Sequence, residues 1–348
     1  WFVNSQYTFG LDGVNIGSGS KKPEGYAKEG VIKTKTIFEN YKRNGRNIFN
    51  IKNTKPLVSK TKSLLVDPYV LGLWLGNGNA YTGYITIPNT DVSSVLNNID
   101  KNKYDVVLKP DGVSNTYLVL YDKNRKTLIS DIKKLGIKKG TKEVPSMYLR
   151  GSFDQRLQLI QGLMDTDGTI EKNGNCAFFN TNDDILKAFC ELLASMGFKY
   201  SLTKRNCAPS QLKNGEVIKP KKLLGIIRFT SYSDILVSSL ERKQSRLKDV
   251  NSDKTKKAKR RKIVNVVEVP PRPVRCLTVD HPSHLFLCTE AMIPTHNTEV
   301  QLRKALAFVA RNPHRTLIYT MPDENMRKRV FQARVLPILT EDKIFQGL

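Results

Sequence analysis

Two short strings of the sequence place polar side chains directly after apolar segments, where each string reads as the end of a helix. They are LGLWLGNG at residues 71–78 and QGLMDTDG at residues 161–168. Asn77 and Asp167 stand at the same position in the two strings, just before the final glycine. If the two helix ends converge, these oxygen-bearing side chains would suit a hard divalent cation such as Mg²⁺, which prefers oxygen ligands.

The two strings also carry small residues four apart, a spacing that puts both members on one helical face. These residues are Gly72 and Gly76 in the first string, and Gly162 and Thr166 in the second. Because small side chains let helix backbones approach closely, we predict that the two helices pack on each other. The alternative is two ordinary core helices that each end at a glycine, and the matching register of the strings argues against it.

A second set of reactive residue types is the triplet His296-Asn297-Thr298. An asparagine amide can attack its own main-chain carbonyl, form a succinimide and break the following peptide bond. That reaction is slow unless one group polarises the carbonyl and another moves protons, and histidine can do both. Thr298 supplies a hydroxyl that can accept an acyl chain. The triplet therefore predicts cleavage after Asn297, although three residues alone are a weak signal.

Other side chains exclude several kinds of site. His281, His284 and His296 are three of only four histidines, but their spacing does not match a structural zinc site. The five cysteines are odd in number and include no CxxC pair. This pattern argues against a disulfide framework and favours a reducing compartment.

The charge balance concerns partners more than fold. Lysine and arginine total 57 against 32 acidic residues, a formal net charge of +25. A polyanion such as DNA is the natural partner because neutralising phosphates releases counterions, and the alternative is a solvated basic surface. No segment approaches the roughly 20 apolar residues that span a bilayer, so we expect no membrane partner.

The elements that must position these residues fall into five segments that differ in composition. Short strands and loops without a strong helix are expected first, then two helix–strand–helix repeats, a basic linker, further strands, and a helix followed by a buried strand. The segments are residues 1–65, 66–250 (repeats at about 66–140 and 141–250), 251–262, 263–297 and 298–348.

With this organisation, both helix-ending strings resemble LAGLIDADG motifs. The approach to the second, VPSMYL at residues 144–149 followed by QRL at residues 155–157, resembles that of intein-borne members of the family. The family cleaves duplex DNA with divalent metal held by the penultimate acid of each motif. The resemblance therefore implies double-stranded DNA as partner, Mg²⁺ or another divalent cation as cofactor, and a monomer with two pseudo-symmetric repeats.

Carried over by position, that acid is Asp167 in the second motif, whereas Asn77 stands in the first. A neutral amide coordinates more weakly than a carboxylate and supplies no charge for metal-assisted hydrolysis. We therefore predict that double-strand cleavage is impaired or lost, and that Asn77→Asp restores it. The family also uses a basic residue near the metals, for which Lys204, Lys221 and Lys222 are candidates.

Three further strings resemble the C-terminal splicing blocks of inteins. They are VRCLTVD at residues 274–280, SHLFL at residues 283–287 and MIPTHNT at residues 292–298. The resemblance implies that splicing needs no cofactor and acts on flanking host segments of the same chain. It assigns catalytic positions to five residues: Cys276, His284 as an upstream proton-transfer group, His296 at the scissile carbonyl, Asn297 as the cyclising residue and Thr298 as the first host residue.

The N-terminal splicing residues of inteins are not found. Inteins begin with Cys or Ser and soon carry a Thr-x-x-His block, whereas this chain begins with Trp1. The string from Thr278 to His281 has that spacing but lies in the wrong block. We therefore expect a chain truncated at its N-terminus, unable to run the first acyl shift and limited to slow cleavage after Asn297.

Together these resemblances imply an α+β multidomain protein. A discontinuous all-β splicing domain of the Hedgehog/intein (HINT) type would carry an inserted, pseudo-two-fold α+β endonuclease. The segment from Thr298 onward is similar to the large subunits of phage terminases, and Thr298 suits the last position of a Gly-Lys-Thr phosphate loop. The expected location is the cytoplasm of a bacterium, in a phage-encoded protein.

Two alternatives remain open at this level. A free-standing LAGLIDADG endonuclease or maturase would leave the block that ends at Asn297 unexplained. A phosphate-loop ATPase would account for the host gene, but not for most of this chain.

Overall fold

The computed structural model describes residues 34–43, 45–47, 49–207, 210–211, 217–218, 222–248, 259–270 and 286–295, together with residues 9–10, 26–27, 279, 324, 331–332 and 336. The chain divides into two compact units. One contains Trp1–Ile51, Lys262–Cys288 and Pro294–Leu348, and the other contains Lys52–Arg261 and Thr289–Ile293. The segment boundaries expected from the sequence remain predictions.

The larger unit is a mixed α/β structure. Its α-helices are Pro68–Asn77, Val92–Asn97, Leu128–Lys134, Ser146–Leu149, Phe153–Thr166, Asp183–Ser195 and Glu241–Gln244, with a 3-10 turn at Asn89–Asp91. One antiparallel sheet has the strand order Ile85–Pro88, Asn115–Asp122, Tyr104–Pro110. A second has the order Tyr200–Arg205, Leu224–Thr230, Asn175–Asn180, Gly168–Ile170, and a short pair is formed by Ser210–Gln211 and Val217–Ile218.

The first half and the second half of this unit repeat one topology. Each begins with a long helix, and the glycine after that helix pairs with the next strand: Gly78 bridges to Ile85, and Gly168 pairs with Phe178. In each sheet the last strand of the half lies between the other two main strands. The helices Pro68–Asn77 and Phe153–Thr166 are therefore equivalent elements, and we call them the first and second motif helices.

The sequence encodes where both motif helices begin. The carboxylate of Asp67 accepts hydrogen bonds from the main-chain N–H groups of Tyr69 and Val70, and Pro68 occupies the first turn, where it costs no hydrogen bond. At the second motif helix Ser152 and Gln155 form a reciprocal capping box. Both starts are local signals because they satisfy N–H groups that have no partner within the helix.

One hydrophobic core holds the two halves together. The first motif helix is buried on all sides from Pro68 to Leu75, as expected for a helix at the centre of a domain. In the second half, the rings of Phe178 and Phe189 stack at 4.2 Å and tie the sheet to the helix Asp183–Ser195. Burying each large apolar side chain contributes about 1.5–3 kcal/mol, so this core is the main source of stability.

The smaller unit contains short elements in its described residues. They are the helix Thr34–Asn40 and the strands Phe9–Gly10, Tyr26–Ala27, Lys42–Arg43, Arg46–Asn47 and Phe286–Cys288. The strands Asn50–Lys52, Arg260–Lys262 and Ile293–Thr295 each have residues assigned to both units. Strands and loops without a strong helix were expected for residues 1–65, and the described residues there include one short helix, Thr34–Asn40. Seven residues are too few for a readable period, and burial of Ile37 beside Phe49 supports this helix.

Two further points concern the described part of the chain. Residues 263–270 form no strand there, although strands were expected from residue 263 onward. No described helix is both long and apolar enough to cross a bilayer.

Candidate active site at the ends of the paired helices

The two motif helices touch at their glycines. A Cβ atom added to Gly72 would lie 2.6 Å from the carbonyl oxygen of Leu159 and 2.9 Å from the Cα atom of Gly162. A Cβ on Gly162 would likewise lie 2.9 Å from the Cα atom of Gly72. Distances this short do not occur between real side chains and backbone. The predicted close packing of the two helices is therefore confirmed.

The second small pair brings the helix ends side by side. Gly76 lies directly against the side chain of Thr166, so that a Cβ at residue 76 would overlap the threonine. The Thr166 hydroxyl turns back and donates to the carbonyl oxygens of Gly162 and Leu163, at 3.1 and 3.0 Å. Asn77 directly follows Gly76, and Asp167 directly follows Thr166. The packing of Gly76 against Thr166 therefore brings Asn77 and Asp167 into one region.

Asp167 is the carboxylate at this point. It follows the second motif helix, and its main-chain N–H donates to the carbonyl of Leu163 at 3.0 Å, which fixes the backbone. The side chain is half-buried and accepts a hydrogen bond from the Asn180 amide at 2.8 Å. Burial raises the pKa of Asp167 above its ordinary value, while the positive charge of Lys142 and the Asn180 hydrogen bond act in the opposite direction.

Asn77 faces a different environment. Its side-chain amide donates to the main-chain carbonyl of Thr86 at 3.2 Å, and the residue is half-buried. The amide nitrogen is therefore engaged by the adjacent strand, and only the amide oxygen can serve as a ligand. The first half thus offers one neutral oxygen where the second offers a carboxylate.

Lys142 binds the end of the first motif helix and interacts electrostatically with Asp167, although the sequence did not single it out. Its ammonium group donates to the carbonyl oxygen of Gly76 at 2.9 Å and lies 5.7 Å from the centroid of the Trp74 ring. Burial lowers the pKa of Lys142, and the nearby negative charge of Asp167 opposes that shift. A lysine two residues before the string at 144–149 was the available signal.

The lysines expected from the resemblance are placed differently. Lys204 forms an ion pair with Asp183 at 2.7 Å, and Lys222 is exposed. Lys221 lies outside the described residues. Lys142, by contrast, bonds to the end of the first motif helix and interacts electrostatically with Asp167 after the second.

Lys243 covers the carbonyl end of the second motif helix. Its buried ammonium group donates to the carbonyl oxygens of Met164, Asp165 and Gly168, at 2.7, 3.1 and 2.8 Å. Burial lowers the pKa of Lys243 to about 8. All three donors are occupied by main-chain oxygens, so this lysine stabilises the helix end and is not free to contact a ligand.

The other carboxylate of the second string, Asp165, is not part of the ligand set. It is buried and accepts hydrogen bonds from the Tyr69 hydroxyl at 2.9 Å, the Ser239 main-chain N–H at 3.0 Å and the Ser238 hydroxyl. Tyr69 belongs to the first motif helix, whereas the two serines lie in the loop before the helix Glu241–Gln244. Asp165 therefore links three parts of the core.

These residues supply only part of the ligand shell of a divalent cation. The described residues contain no group of three or more acidic, histidine or cysteine side chains suited to a metal. Asp167 and the Asn77 oxygen provide one charged and one neutral ligand, and the ammonium group of Lys142 opposes a second cation. Hard cations take six or more oxygens, so the donor set fits one ion whose shell is completed by phosphate oxygens and water.

The residues predicted for peptide-bond cleavage lie outside the described part of the chain. They are Cys276, His284, His296, Asn297 and Thr298. The strand Ile293–Thr295 ends one residue before His296. Their roles remain predictions.

A comparison with protein families addresses the second half directly. Residues 154–218 match the LAGLIDADG-like domain. The chain therefore contains a LAGLIDADG-like domain. The matched segment includes most of the second motif helix and Asp167, the carboxylate of the candidate site.

Solved structures to which this chain shows similarity include those of the homing endonuclease I-DmoI. Its mesophilic variants give a TM-score of 0.30 at 14% identity, covering 48% of this chain and 88% of theirs. I-DmoI in complex with DNA and Ca gives 0.31 at 14% identity, covering 48% and 83%. The complex with DNA and Mn gives 0.29 at 16% identity, covering 48% and 89%.

A curated relative is a replicative DNA helicase, DnaB, from Mycobacterium intracellulare. It is 30% identical over 260 residues, which are 73% of this chain and 38% of the helicase. The chain thus spans well under half of that relative's length. The relative is a helicase, and the match gives no support to the terminase expected from residue 298 onward.

Proposed function

We propose that the LAGLIDADG-like domain is a site-specific DNA endonuclease and that it works as a monomer with two unequal halves. The observation that carries this proposal is the meeting of Asp167, Asn77 and Lys142 at the packed ends of the two motif helices. The net charge of +25 supports a polyanionic partner. Double-stranded DNA fits both the chemistry of the site and that charge.

The residues divide the work of phosphodiester hydrolysis. A divalent cation held by Asp167 and phosphate oxygens would activate water and polarise the scissile phosphate. Asn180 orients the Asp167 carboxylate through its hydrogen bond of 2.8 Å. Lys142, held by the Gly76 carbonyl, presents positive charge where negative charge develops on the phosphate. Half-burial of both groups strengthens these interactions because fewer waters screen them.

The two halves would act differently on the two DNA strands. The second half has a carboxylate, and the first has only the Asn77 oxygen. One competent centre predicts that one strand is cut much faster than the other. Nicked DNA is therefore the expected main product.

A cleavage assay tests this function. A supercoiled plasmid that carries the host gene without its insertion is incubated with the chain and Mg²⁺ or Mn²⁺. We expect accumulation of nicked circles, no product with EDTA, and loss of nicking in Asp167→Asn. A chain that leaves the plasmid intact under all conditions, or an Asp167→Asn variant that nicks at the wild-type rate, would refute the proposal.

We also propose that the chain is an intein with a HINT-type splicing domain, in which Asn297 cyclises with the help of His296 and His284. The order of the three C-terminal strings supports this proposal. So does the single compact unit to which Trp1–Ile51 and Lys262–Cys288 both belong, because an inserted domain would leave its host domain discontinuous. Thr298 would then begin the downstream host segment and Cys276 would assist at the junction.

Similarity to a replicative helicase supports a helicase as the host protein. The bacterial cytoplasm is the location that we propose for it. A splicing assay tests the intein assignment. The chain is joined to a complete upstream sequence, expressed in bacteria, and its products are weighed by mass spectrometry. Ligated host protein is expected from the wild type, and Asn297→Ala should abolish release of the downstream segment. Release that persists in Asn297→Ala would refute the assignment.

A further inference from the structure

A cavity of about 450 Å³ opens within the larger unit, and Asp167 is not among the residues that line it. It lies where the segment after the strand Asn50–Lys52 passes the C-terminal end of the helix Asp183–Ser195 and the end of the strand Leu224–Thr230. Its lining includes Lys52, Lys55, Lys199, Tyr232, Lys259 and Arg260.

The lining is strongly basic. Five of the lining residues are lysine or arginine, against the single acid Asp234, and carbon atoms make up much of the lining between them. Lys55, Lys199 and Lys259 are exposed. Lys259 also lies over the ring of Tyr232, 6.0 Å from its centroid. Flexible cations around a concave opening attract an anion that can be shared among several of them.

The walls of the cavity are held by main-chain contacts. The Asn53 main-chain N–H donates to the Lys259 carbonyl at 2.9 Å, and the Asn53 side-chain amide donates to the Gly197 carbonyl at 3.0 Å. Gly197 has φ of +80°, and a Cβ there would lie 2.5 Å from the Thr54 carbonyl oxygen. These contacts fix three chain segments around the opening.

The strand register places this cavity relative to the active site. Asn180, which binds Asp167, pairs with Gly225 at one end of the strand Leu224–Thr230. Thr230 pairs with Asn175 near the other end and lines the cavity. Five residues of strand therefore separate the two positions by about 17 Å along the strand.

We propose that this cavity binds a backbone phosphate of duplex DNA, away from the scissile phosphate. The proposal rests on the proposed endonuclease function, because that function supplies the duplex. The contact would position the DNA without reading its sequence, as phosphate contacts do. It would also bring the DNA to Lys52 and Arg260, which lie near the two ends of the segment Lys52–Arg261.

Salt dependence of DNA binding tests the proposal in the full chain. Affinity for a mixed-sequence duplex of about 30 base pairs is measured by fluorescence anisotropy between about 50 and 200 mM salt. The variant Lys55→Glu/Lys199→Glu should lower the slope of log K against log salt by about one, since the lost contact to a single phosphate removes nearly one unit. Both positions are exposed, so the fold is retained, which circular dichroism checks.

The matched control is Lys101→Glu/Lys133→Glu, two exposed lysines of the first half. We expect its slope to change less than that of the cavity variant. Equal slopes for the wild type and the cavity variant, or an equal fall in both double variants, would overturn the proposal. The plasmid assay separates the two ideas: nicking with unchanged slopes refutes the cavity alone, and a slope change without nicking refutes the nuclease alone.

Discussion

The side-chain amide of Asn77 donates a hydrogen bond to the main-chain carbonyl of Thr86, 3.2 Å away. At the equivalent place in the second half, Asp167 accepts a hydrogen bond from Asn180. The backbones of the two helix ends are thus equivalent, but the side chain donates a hydrogen bond in the first half and accepts one in the second. This difference decides what a substitution at residue 77 can do.

Asn77→Asp should restore cleavage of the second DNA strand at a cost in stability. A carboxylate cannot donate to the Thr86 carbonyl, so the side chain must turn away from it, and the lost hydrogen bond costs about 1 kcal/mol. The turned carboxylate adds the charge that a cation needs. The ratio of linear to nicked plasmid reports the gain. Asn77→Ala is the control, and an equal ratio in both variants would contradict the prediction.

Lys142→Met should slow DNA nicking by about 100-fold, because one preorganised positive group at a developing charge is worth roughly 2.7–4 kcal/mol. Methionine keeps the length of the side chain beside Trp74 but removes the charge and the bond to Gly76. The measurement is single-turnover nicking at saturating protein. Lys204→Met is the matched control, since Lys204 pairs with Asp183 instead. Similar rates in the two variants would exclude a role for Lys142 in the reaction.

Gly72→Ala should destabilise the larger unit by about 3 kcal/mol, the upper end of the range for overpacking. The added Cβ would meet backbone atoms of Leu159 and Gly162, which cannot rotate away. Urea unfolding followed by circular dichroism gives the change in the free energy of unfolding. Ser93→Ala, at an exposed position of the helix Val92–Asn97, should change it by less than about 0.5 kcal/mol. A stable Gly72→Ala variant would mean that the helices are not in contact.

Asn180→Ala should shift the acidic limb of the pH–rate profile to higher pH. Burial already raises the pKa of Asp167, and the Asn180 hydrogen bond lowers it, so removal of the amide raises it further. Cation binding needs the ionised carboxylate, and activity is therefore lost at a higher pH as acid is added. The control is Asn173→Ala, an exposed asparagine in the turn after the strand Gly168–Ile170. Coincident profiles for Asn180→Ala and the wild type would contradict the assignment.

The raised pKa of Asp167 also makes the stability of the folded chain depend on pH. The folded chain holds the Asp167 proton more tightly than the unfolded chain, so this residue favours folding when protonated, and that contribution is lost as pH rises through its folded pKa. Asp167→Asn, which is neutral at all pH values, should therefore gain stability relative to the wild type above that pKa and not below it. Unfolding midpoints in urea across this pH range measure the difference.

Much of the arrangement was readable from the sequence because its causes are local. Gly72 and Gly162, each followed four residues later by another small residue, predicted the close helix contact. Asp67-Pro68 predicted the start of the first motif helix. The match between Asn77 and Asp167 followed from the register of the two strings. Each of these signals lies within a few residues of the feature it determines.

Other features were decided only by the tertiary structure. Lys142 is 66 residues from Gly76, and nothing local shows that its ammonium group reaches that carbonyl. The two acids of the second string, Asp165 and Asp167, are two residues apart, yet one is buried by Tyr69 and Ser239 while the other faces the site. A side chain's solvation and partners depend on segments far away in the chain, and helical periodicity carries no information about them.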